Sequence, residues 1–74
     1  MPEISVGTLI VSIQAVAAEL RVLREGAQHG ELEAEEYALL EERQSAAEDL
    51  EAAYTKLAAS VLNLPPYEQL VGEA

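Results

Sequence analysis

Val6, Leu9, Ile13, Val16, Leu20, Leu23 and Ala27 follow one another at alternating spacings of three and four residues. That rhythm repeats every three and a half residues, which is the apolar seam of an α-helix and is incompatible with the two-residue period of a strand. A helix carrying such a seam has to bury it, so at least one more helix must follow in a chain of 74 residues. No alternating apolar–polar segment appears elsewhere. The fold class is therefore all-α. A second stripe, Ile4, Val11, Ala15, Ala18 and Val22, lies on the opposite side of the same helix. A helix in a lone two-helix hairpin needs only one apolar face, so the second stripe predicts burial against another chain.

The first helix is expected over about residues 4–25, with Pro2 and Glu3 suited to its start and Ser5 as an alternative cap. The stretch Glu25–Tyr37, EGAQHGELEAEEY, then breaks the seam with Gly26 and Gly30. Glycine leaves a helix at low steric cost, which makes this stretch the bend of an antiparallel helical hairpin. The second helix is expected over about residues 33–62. Glu33 and Glu36 form a capping box at its start, Leu32 and Tyr37 a hydrophobic staple, and Asn63 and Pro65 its exit. Its inward stripe is Leu39, Leu40, Ala47, Leu50, Tyr54, Leu57, Val61 and Leu64. Pairing about the bend sets Leu20 near Leu40, Ile13 near Ala47 and Val6 near Tyr54, and Arg24 is placed to meet Glu36. Residues 1–64 thus make the hairpin, and residues 65–74 a proline-initiated tail that packs on its end. Leu64-Pro65-Pro66-Tyr67 has the form of a short proline–tyrosine ligand, but Tyr67, Leu70 and Val71 are better used as a cap on the exposed core.

A chain this small buries only about 60% of its unfolded surface. With no cysteine for a disulfide and one histidine, self-association is the remaining means of enlarging the core. Ile4, Val11, Ala15, Ala18, Val22, Leu57 and Val61 are the expected self-association residues, and a homodimeric four-helix bundle is the expected assembly.

The net charge of −10 is concentrated in residues 31–51, where nine acids face Arg43 alone. Too few Lys and Arg are present to neutralise phosphates, which argues against direct nucleic-acid binding and against an anionic membrane surface. The run Ile4–Ala18 is short for a membrane span and carries Ser5, Thr8, Ser12 and Gln14; Glu3 stands where a secretory signal has basic residues. A cytoplasmic protein is expected. Glu41, Glu42, Arg43, Glu48 and Asp49 form the expected partner-binding face, suited to a basic protein.

Carboxylates invite a test for acid–base or metal chemistry. No Glu-x-x-His pair is present, and no nucleophile–base pair or nucleotide-binding glycine loop is visible; His29, Glu31 and Glu33 near the bend make at most a weak cation site. No catalytic, cofactor or metal residue is assigned. The chain reads as a small acidic non-enzymatic protein that binds other proteins, as an adaptor, chaperone-like or regulatory subunit, through homo-oligomeric helical packing. The alternative is an acidic inhibitor that mimics nucleic acid and occupies a basic groove of its target.

Overall fold

The computed structural model describes residues 3–72, in the order α1 (Val6–Gln28), α2 (Ala34–Ala58) and α3 (Tyr67–Val71). The two long helices form a hairpin, and no strand occurs among the described residues. Pro2 lies outside them. The helix begins at Val6 because the Ser5 hydroxyl accepts the Thr8 N–H at 3.1 Å and so satisfies a donor that has no partner inside the helix.

The first helix runs three residues beyond the expected end and stops in a left-handed turn. Gly30, at φ +68°, directs its N–H to the Ala27 carbonyl at 3.2 Å, and Glu31 directs its own to the Gly26 carbonyl at 2.9 Å. This pair of bonds satisfies carbonyls that the helix end leaves free. Leu32 folds back over Gly26, where an added Cβ would sit 2.8 Å from a Leu32 methyl. The two glycines therefore serve different needs: Gly30 the positive φ, Gly26 the close approach. Nothing lies within 4 Å of a Cβ placed at Gly30, so Gly30→Ala carries only the backbone cost. We expect it to destabilise by about 1 kcal/mol, read as a lower urea midpoint at unchanged slope; an unchanged midpoint would show that the turn relaxes freely.

Glu33 caps α2, and the Glu36 carboxylate accepts the Glu33 N–H at 3.0 Å. Glu36 is thus committed to the cap and exposed, so the expected Arg24–Glu36 pair is not made. The cross-hairpin ion pair is instead Arg43 Nε to Glu19 Oε1 at 2.8 Å, with Arg43 Nη1 on Glu42 at 2.7 Å.

The second helix ends at Ala58, four residues short of the expected Leu62. Both the N–H and the hydroxyl of Ser60 go to the Leu57 carbonyl, which tightens the last turn and stops the regular ladder. Asn63 then adopts φ 68°, and the chain turns through Pro65 and Pro66 into α3.

At the open end of the hairpin, Leu9, Ile13 and Tyr54 form a buried cluster against which Leu50, Leu57, Leu64, Tyr67, Leu70 and Val71 pack. Tyr54 sits one to two turns further along α1 than its expected neighbour Val6. The tail accounts for that offset: the Tyr54 hydroxyl donates to the Pro65 carbonyl, its ring lies 6.3 Å from that of Tyr67, and Arg21 donates to the Val71 carbonyl at 3.2 Å.

Candidate partner-binding surfaces

The hairpin leaves three surfaces on which another molecule could sit. The first is the outer side of α1. With 23 residues, α1 is a long apolar helix whose most apolar window reaches a mean hydropathy of 1.6, enough by length and composition to cross a membrane. From Val6 on, the run Ile4–Ala18 is thus part of a longer apolar helix that continues to Gln28. In the hairpin only one side of it is covered. Leu9, Ile13, Leu20 and Leu23 are buried, while Val11 and Val22 remain 65% and 69% exposed, and Ile4, Ala15 and Ala18 are exposed as well.

The other two residues expected in self-association are placed differently. Leu57 packs into the chain's own core cluster, whereas Val61 follows the end of α2 and is exposed. Leu62 beside it is 87% exposed.

The second surface is the acidic side of α2. Glu41, Glu42, Glu48 and Asp49 are exposed. Arg43 is held between Glu19 and Glu42. Those carboxylates raise the affinity of its guanidinium for its proton, the Glu19 hydrogen bond being the largest cause. Of the five residues expected to meet a partner, Glu42 and Arg43 are paired with each other, and Glu41, Glu48 and Asp49 make no ion pair among the described residues.

The third surface was not legible in the apolar pattern. A groove of about 660 Å³ lies between α1 and α2, and Tyr67 and Val71 of α3 contribute to its lining. Its sides carry Arg21, Arg24, Glu25 and Gln28 from α1 and Gln44, Glu48 and Glu51 from α2, above a floor that includes Ala17, Leu20, Ala47 and Leu50. Two alanines inside the hairpin leave the space that larger side chains would fill; that was the available signal. Burial pushes the Tyr67 phenol above its ordinary pKa, and the Glu51 carboxylate adds to the rise.

Near the bend, His29 Nδ1 donates to the Glu25 carbonyl at 2.9 Å. Among the described residues no three His, Asp or Glu side chains gather closely enough to hold a metal ion, so His29, Glu31 and Glu33 do not make the weak site considered for them.

A protein-family model described as "T6SS, Immune protein Tsi2-like" matches residues 3–70. This chain belongs to that Tsi2-like family. No curated protein and no solved structure matches it. The matched segment takes in α1, α2 and nearly all of α3. Membership in an immunity family makes the Tsi2-like chain a small protein that acts by binding a target, which is the inhibitor half of the sequence reading.

Proposed function

We propose that this protein is an immunity protein that neutralises a toxin of a type VI secretion system by stable, non-catalytic binding in the cytoplasm. The family match over residues 3–70 carries the reading. The adaptor or chaperone-like role considered from the sequence narrows to that of a dedicated inhibitor. Two copies pair through the outer side of α1, with Ile4, Val11, Ala15, Ala18 and Val22 covered in the dimer. This leaves the Glu41, Glu42, Glu48 and Asp49 carboxylates outward to steer a partner with basic groups. A chain with so small a core of its own gains apolar burial from such pairing.

The test is co-expression with a candidate type VI effector from the same source. The expected result is restored growth of cells that the effector alone arrests, together with a complex that co-elutes in gel filtration. Growth arrest that persists at full expression of the folded chain overturns the reading. The complex is also expected to form more slowly as salt rises, because steering between exposed charges is screened. Competition by DNA for the effector would favour the variant in which the acidic face imitates nucleic acid.

A further inference from the structure

The cations of this chain are unevenly used. Among the described residues, Arg43 is consumed by Glu19 and Glu42, and Lys56 lies near the end of α2. Arg21 and Arg24 both stand on the α1 side of the groove, where Arg21 spends one nitrogen on the Val71 carbonyl and Arg24 makes no ion pair among the described residues. On the α2 side stand Glu48 and Glu51. The groove is therefore uneven across its width, with Arg21 and Arg24 outweighing Glu25 along α1 and only the acids Glu48 and Glu51 along α2, and the small residues Ala17 and Ala47 lie between. It is also the concave place on this acidic molecule where an incoming carboxylate would find arginine.

We propose that this groove receives an amphipathic segment of the toxin. In it, a bulky apolar side chain enters the notch between Ala17 and Ala47, a carboxylate meets Arg24, and a basic group meets Glu48 and Glu51. The inference rests on the immunity reading and adds to it where on the chain the partner docks and what the partner carries there. The polarity fixes the direction in which the segment lies, because a reversed segment would set carboxylate against Glu48 and Glu51. A second copy of this chain is the poorer occupant. The outer face of α1 is already the surface proposed for pairing, and filling the groove with a second copy would leave that apolar face uncovered. The α3 segment already lines the groove with Tyr67 and Val71, so the incoming segment would lie beside it, towards Arg24 and Gln28 at the bend side.

The experiment measures affinity for the same full-length type VI effector, using wild type, Ala47→Leu, Arg24→Glu and Arg24→Lys. Ala47→Leu fills the notch, and Arg24→Glu reverses the charge at an exposed position, so the second remains informative if the first disturbs folding. Ala47→Leu and Arg24→Glu are each expected to weaken binding about tenfold or more, with Arg24→Lys retaining most of it. Melting temperature and the mass of the free protein should stay as in wild type. Wild-type affinity in both Ala47→Leu and Arg24→Glu, with the wild-type complex intact, overturns the groove proposal and leaves the immunity reading standing. A variant that instead halves the mass of the free protein would assign the groove to a second copy and also overturn it. Failure of wild type to bind the effector removes both.

Discussion

Tyr54→Ala is expected to leave the chain largely unfolded at physiological temperature. Tyr54 is 2% exposed and joins all three helices: its ring packs with Leu9 and Ile13 of α1 and faces Tyr67 of α3, and its hydroxyl holds the Pro65 carbonyl. Truncating a buried aromatic costs about 3–5 kcal/mol. Small domains have only about 5 kcal/mol or little more to lose. At roughly 4–8 °C per kcal/mol for a domain of this size, the melting temperature should fall by more than about 12 °C. Tyr54→Phe separates the two roles. It keeps the packing and removes one hydrogen bond, so a loss of about 1 kcal/mol is expected. Circular dichroism melts of both variants check this. Equal, small losses would mean that the tail holds the cluster together without the ring.

The second large effect concerns assembly. Val11→Glu combined with Val22→Glu is expected to convert the protein from twice the chain mass to once in light scattering. Both positions are more than half exposed on the single chain, and glutamate is a better helix former than valine, so the hairpin itself should tolerate the change. In a dimer paired through the outer side of α1, the same change removes two buried apolar side chains and puts a carboxylate in place of each. That should weaken association by more than about a hundredfold. A monomeric wild type would refute the dimer outright, and an unchanged dimer in the double variant would move its interface away from this face. Either result leaves the toxin-binding reading to its own test.

Much of the fold could be read from residue order because it depends on local chemistry. The three-and-four spacing from Val6 to Ala27 dictates a helix with Leu9, Ile13, Leu20 and Leu23 on its inner side, and those four are buried. Gly26 and Gly30 dictate a break, and Glu33 with Glu36 a fresh start, since caps and left-handed turns involve only residues a few positions apart. Net charge likewise placed a solvated acidic face on α2 without reference to any contact.

What the tertiary structure decided lies where two distant segments compete for the same partner. Arg24 and Glu36 were within plausible reach by register, yet Glu36 is held by its own helix cap, and Arg43 takes Glu19 across the hairpin. Tyr54 faces Leu9 and Ile13 rather than Val6, because the tail returns over it with Pro65, Tyr67 and Val71, and pairing about the bend alone does not include the tail. The groove belongs to the same class. Ala17 and Ala47 are ordinary helix formers one at a time, and they become a cavity only when packing sets them in the same inter-helix space. Backbone preference is a property of a few neighbouring residues and survives in the sequence. Empty space and the choice among ion partners are properties of the whole arrangement and arise only when the helices meet.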